Sequence, residues 1–129
     1  MITVLYAEDD PDNAFMLSQR LHRHGIEVRH VEDGEQALQW MAGHVADAVL
    51  LDINLPRIDG LSVLRRLRAD RATRTLPVIV VSASVLQDAT GQAMAAGADA
   101  FVAKPVDFAR LLDILFRLIP GAGARGNQP

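Results

Sequence analysis

Five short apolar runs, each followed by a stretch of helical periodicity, restrict the fold of this chain more than any other feature. They cover residues 3–7, 27–31, 48–51, 78–81 and 100–103. Strands that alternate with helices in this way pair in parallel, with helices covering both faces of the sheet. Three of the runs are almost continuous Val, Leu, Ile or Ala, as strands buried on both faces must be. The second mixes Val28 and Val31 with Glu27, Arg29 and His30 and reads as an edge strand.

Between the runs, Ala14, Leu17 and Leu21 share one helical face, and Ala37, Leu38 and Met41 share another. Leu61, Leu64 and Leu67 repeat at the same spacing, as do Leu111, Leu112, Leu115 and Leu118. Gly25 and Gly97 stand where the first and fourth helices close, because a left-handed cap favours glycine, and Pro56 and Pro77 mark loops. Residues 87–96 make the weakest helix, interrupted by Gly91 and with mostly alanine to bury. The expected fold is α/β: a single doubly wound, five-stranded parallel sheet with five helices. A chain of 129 residues, 50% hydrophobic, suits one domain over residues 1–119. Residues 120–129, rich in glycine, read as a disordered tail.

Charge and composition narrow the function. With 13 basic against 16 acidic residues and a formal charge of −3, no basic field exists to hold nucleic acid directly. Cysteine is absent, which removes disulfides, thiolate metal sites and cysteine nucleophiles, so any metal is expected to be held by oxygen. The first residues lack the basic start of a secretory signal, and no apolar run approaches the ~20 residues of a membrane helix. The expectation is a cytoplasmic protein without membrane insertion.

In an open parallel sheet, ligands bind beyond the carboxyl ends of the strands. There this chain places Glu8-Asp9-Asp10 after strand one, Asp52 after strand three, Ser82 after strand four and Lys104-Pro105 after strand five. Clustered carboxylates repel one another, and a hard divalent cation offsets their charge, which points to Mg²⁺ held by Asp9 and Asp52. Asp10 and Asp12 are better explained as acids at a helix start, with Pro11 in its first turn. Asp52 follows an unbroken apolar run, and a carboxylate so placed suits nucleophilic attack on phosphorus. Lys104 is the one lysine beside 12 arginines, and a compact ammonium can meet a phosphoryl oxygen as a point charge. Ser82 alone could be a helix cap, but its strand lies between those of Asp52 and Lys104.

Glu8-Asp9, Asp52 within Leu-Leu-Asp-Ile-Asn-Leu-Pro, Gly60, Ser82-Ala83 and Lys104-Pro105 together resemble the receiver domain of bacterial two-component response regulators, over about residues 2–119. The resemblance implies a flavodoxin-like sheet of order 2-1-3-4-5. It implies that Asp52 is the phosphoacceptor, charged from a phosphohistidine on a sensor histidine kinase or histidine phosphotransfer protein. Asp9 matches the direct Mg²⁺ ligand, Glu8 a second acid often acting through water, and Asn54 the position whose main-chain carbonyl completes the metal shell. Ser82 matches the hydroxyl that moves to the phosphoryl group, Lys104 the ammonium that pairs with it, and Phe101 the aromatic that swings inward. The face of helix four, strand five and helix five would then change toward a downstream protein target. Val85, Leu86, Met94, Phe108 and Leu111 are surface or core positions there that the sequence does not separate.

Phe101 replaces the commoner tyrosine and Ser82 the commoner threonine. Such a protein is a phosphoacceptor that catalyses only its own phosphorylation and dephosphorylation, not an enzyme in the usual sense. It is expected to be a monomer, with dimerisation on phosphorylation left open. Three other readings stand beside this one. A flavodoxin-like electron carrier would have its flavin phosphate repelled by Glu8-Asp9-Asp10. A haloacid-dehalogenase-type phosphatase needs an acid two residues after its nucleophile, where Asn54 stands. A receiver-like docking module that no longer uses phosphate remains, as does the question of whether the chain is free-standing or part of a hybrid kinase.

Overall fold

The structure, a computed structural model, describes residues 2–83 and 88–121. In chain order the elements are β1 (Ile2–Ala7), α1 (Pro11–His22), β2 (Ile26–Val31), α2 (Gly34–Gly43), β3 (Ala48–Leu51), α3 (Gly60–Ala69), β4 (Val78–Ser82), α4 (Ala89–Ala95), β5 (Ala100–Ala103) and α5 (Phe108–Leu118). All five strands run parallel in the order β2-β1-β3-β4-β5, so β2 is an edge strand as its mixed composition requires.

Strand side chains alternate between faces, and this divides the core into two layers. Ile2, Val4 and Tyr6 of β1 join Leu17, Leu21, Leu111 and Leu115 under α1 and α5. Leu5 and Ala7 join Val63, Leu64, Leu67 and Ala93 under α2, α3 and α4. Within β3, Leu50 belongs to the first layer and Val49 and Leu51 to the second, all with no exposed surface. Each fully buried leucine contributes about 2 kcal/mol.

Four of the helices start on an aspartate whose side chain accepts a main-chain N–H. Asp10 takes that of Asp12 at 2.9 Å, Asp33 that of Gln36 at 2.7 Å, Asp59 that of Ser62 at 3.0 Å and Asp107 that of Arg110 at 3.2 Å. Asp10 is therefore a helix cap, and Asp12 lies in the first turn of α1 behind it. The remaining helix differs: α4 has seven residues, and Asp88 before it has φ +65° and makes no side-chain cap. Gly25 and Gly97 adopt φ +81° and +110° at the ends where the sequence places them.

Helix four is shorter than residues 87–96. Gln87, Val85 and Leu86 lie outside the described residues, as do the last eight residues of the tail. Of the remaining positions on that face, Met94 is exposed, Phe108 is half-buried and Leu111 is buried. Arg68 of α3 ties the far end of α4 to the sheet. It donates to the carbonyls of Gly97, Thr73 and Leu76 and to the Asp99 carboxylate. Among the described residues, no helix is long and apolar enough to cross a membrane.

Candidate functional site

Sheet register assembles the site. Ala7 pairs with Leu51 and the Asp52 N–H donates to the Ala7 carbonyl at 3.2 Å, which sets Glu8 and Asp52 side by side as β1 and β3 end. Ser82 pairs with Ala103, and the Lys104 N–H donates to the Ser82 carbonyl at 3.0 Å. Residues that end β1, β3, β4 and β5 thus meet at one edge.

Glu8 and Asp52 are buried, 1% and 5% exposed, while Asp9 is exposed. One carboxylate oxygen from each of these three lies within 4.8 Å of the other two. The Lys104 ammonium bridges the buried pair, 2.6 Å from Glu8 Oε2 and 2.9 Å from Asp52 Oδ2. Burial alone would lower the lysine pKa, but the hydrogen bonds to Glu8 and Asp52 outweigh it and hold the ammonium above its ordinary 10.5. The other Asp52 oxygen accepts the Ser82 hydroxyl at 3.2 Å and the Asn54 N–H at 2.9 Å. Asn54 itself is exposed.

The chain holds this geometry by close packing beneath it. Gly60 begins α3 directly against the backbone of Asp52 and Ile53, where an added Cβ would overlap the Asp52 carbonyl and approach Ile53 Cα to 2.7 Å. Its N–H donates to the Ile53 carbonyl at 2.8 Å. On the side of α1, a cleft of about 540 Å³ opens beside the cluster, lined by Tyr6, Asn13, Met16, Arg20, Lys104 and Val106.

One ammonium against three carboxylates leaves an excess of two negative charges. The donors are all oxygen, which suits a hard cation such as Mg²⁺. Glu8, Asp9, Asp52, Ser82 and Lys104 are therefore brought together as the sequence reading requires. Phe101 is not among them. It is half-buried at the β5 edge, opposite Val80, and packs with the layer under α4.

Two residues that the sequence reading passed over also touch Glu8. The Tyr6 hydroxyl donates to Glu8 Oε2 at 3.3 Å, and burial together with the Glu8 charge pushes the phenol pKa up, which keeps it a donor. His30 Nε2 lies 2.7 Å from the Glu8 carbonyl. The available signal was position. Tyr6 is two residues before Glu8 on one strand face, and register pairs Tyr6 with His30.

Residues 4–116 match the family model of the response regulator receiver domain. The sensory/regulatory protein RpfC of Xanthomonas campestris is 41% identical over 87% of this chain, which spans 16% of RpfC. The transcriptional regulatory protein PrrA of Mycobacterium tuberculosis is 38% identical over 97% of the chain, which spans 53% of PrrA. This chain thus covers about half or less of these relatives. Among solved structures, the receiver domain of a Pseudomonas aeruginosa sensor histidine kinase superposes with a TM-score of 0.85 at 35% identity. The match covers 92% of this chain and 98% of that one. That domain is described with a magnesium ion coordinated in its active-site cleft.

Proposed function

This chain belongs to the response regulator receiver domain family of two-component signalling, and from that premise we propose that it accepts a phosphoryl group on Asp52. The observation that carries the proposal is a buried carboxylate compensated by Lys104 and Ser82 at the end of a strand, with Glu8 and Asp9 within 4.8 Å of it. In the transfer, an Asp52 oxygen forms a bond to phosphorus while the bond from phosphorus to the donor histidine nitrogen breaks. The product is an acyl phosphate and a free imidazole.

Lys104 supports the reaction by pairing with phosphoryl oxygens, and Ser82 by turning its hydroxyl from Asp52 to the same group. Asp9 and Asp52 would hold Mg²⁺ directly, Glu8 would act as the second acid and the Asn54 carbonyl would complete the shell. The ion would neutralise charge on the transferring oxygens. Asp52 is almost fully buried, so the donor must reach into the pocket, and water is largely kept from the acceptor.

The donor in this reading is a sensor histidine kinase or histidine phosphotransfer protein, and the recipient of the signal is a protein. The chain is then a phosphoacceptor whose own catalysis is limited to gaining and losing its phosphoryl group, acting in the cytoplasm. The change would pass from Ser82 to Phe101 and the surface of α4, β5 and α5. Support for that route is local: α4 is short and lacks a side-chain cap, and Phe101 packs beneath it.

Intact mass after incubation with phosphoramidate, with and without Mg²⁺, tests the acceptor. One phosphoryl group should be gained in a Mg²⁺-dependent reaction and none by Asp52→Asn. If no adduct forms and beryllofluoride also fails to bind, the proposal is refuted in favour of a receiver-like docking module.

A further inference from the structure

We propose that Tyr6 is a positioning residue whose hydroxyl fixes the Glu8 carboxylate for Mg²⁺ binding. This rests on the metal-dependent acceptor function proposed above and adds to it a residue that touches neither metal nor phosphoryl group.

Tyr6 is 1% exposed, in the second-last position of β1, and its ring is packed in the layer under α1 and α5. A phenol hydroxyl taken out of water is costly unless it is hydrogen-bonded, so a tyrosine at a buried strand position must be given a partner. Here the partner is Glu8 Oε2 at 3.3 Å, the same oxygen that receives Lys104 at 2.6 Å. The rest of Glu8 is also tied down. Oε1 accepts the Asp10 N–H at 3.4 Å, and the main-chain oxygen lies 2.7 Å from His30 Nε2.

Lys104 cannot be the lasting anchor of Glu8, because it also holds Asp52 and must turn to the phosphoryl oxygens once Asp52 is modified. Tyr6 has no such second duty. With its ring fixed by packing, it keeps one donor aimed at Oε2 whether or not the ammonium has left. A carboxylate oriented in this way binds a cation without first losing rotational freedom, and groups that orient metal ligands typically change affinity about 10–100-fold. The long O···O distance puts Tyr6 near or below the lower end of that range.

The test is calorimetric titration of Mg²⁺ into the wild type, Tyr6→Phe, Glu8→Ala and the double variant. Tyr6→Phe should raise the Mg²⁺ Kd about 3–10-fold while Tm moves little, since only one oxygen is removed. In the Glu8→Ala background the same change should leave the Kd unaltered, because Tyr6 acts through Glu8. An unchanged Kd in Tyr6→Phe, or an equal fold-change in both backgrounds, overturns the proposal while leaving the acceptor function standing. A wild type that binds no Mg²⁺ overturns both.

Discussion

Replacing Lys104 by methionine probes the electrostatics of the site directly. The Lys104 side chain is 16% exposed, and its ammonium lies 2.6 Å and 2.9 Å from two carboxylates that are almost fully buried. Without it, those carboxylates and Asp9 face one another with oxygens no more than 4.8 Å apart. Two unit charges at that separation repel by about 3 kcal/mol at an effective dielectric constant of about 20. Removing one partner of a buried ion pair costs about 3–5 kcal/mol for the same reason. Lys104→Met should therefore lose about 3–5 kcal/mol of unfolding free energy near neutral pH in EDTA, measured by urea denaturation.

Methionine keeps most of the apolar stem, so lost packing contributes little. The deficit is one of charge, and Mg²⁺ should recover most of it, with stability rising more steeply against Mg²⁺ concentration than in the wild type. The pH dependence has a definite sign. Hydrogen bonds to Glu8 and Asp52 raise the lysine pKa despite its burial, so its contribution is complete below about 10.5 and fades as pH rises through the raised value. A loss below about 1 kcal/mol, or one of the same size with and without Mg²⁺, would refute the reasoning.

Asp59→Ala removes the cap of α3 and should cost about 1 kcal/mol by thermal or urea unfolding. The hydrogen bond from Ser62 N–H lowers the Asp59 pKa below its usual 3.8, so this difference should be full above that pH and vanish as pH falls through the lowered value. Gly60→Ala puts a methyl group into the backbone of Asp52 and Ile53. It should cost about 2–3 kcal/mol and slow phosphorylation by phosphoramidate, read by intact mass. Wild-type stability and rate would show that the contact is not tight.

The sheet and most of the pocket were legible because both follow from position. Continuous apolar runs mark β1, β3 and β4, and the residues that leave those strands are the ones found together at its edge. Helix four was legible only as a weakness: alanine and Gly91 offer little periodicity, and the element is shorter than its sequence suggests. The aspartate caps of α2, α3 and α5 went unread because an Asp before a helix looks the same as one in a loop until the first N–H is seen to donate. Tyr6 went unread for a different reason. An aromatic in an apolar run reads as core, and its hydroxyl acquires meaning only when Glu8 is placed beside it.

The bonds of Lys104 to Glu8 and Asp52 span 96 and 52 residues of chain. Contacts between such distant segments form late, after the entropy of closing long loops has been met. Glu8 and Asp52 precede their counter-ion in the chain, so the acidic edge has this partner only once β5 is in place. Adding β5 both finishes the sheet and brings in the one ammonium that offsets part of that charge. A chain cut before residue 104 would keep Glu8, Asp9 and Asp52, yet lack the ammonium that bridges two of them.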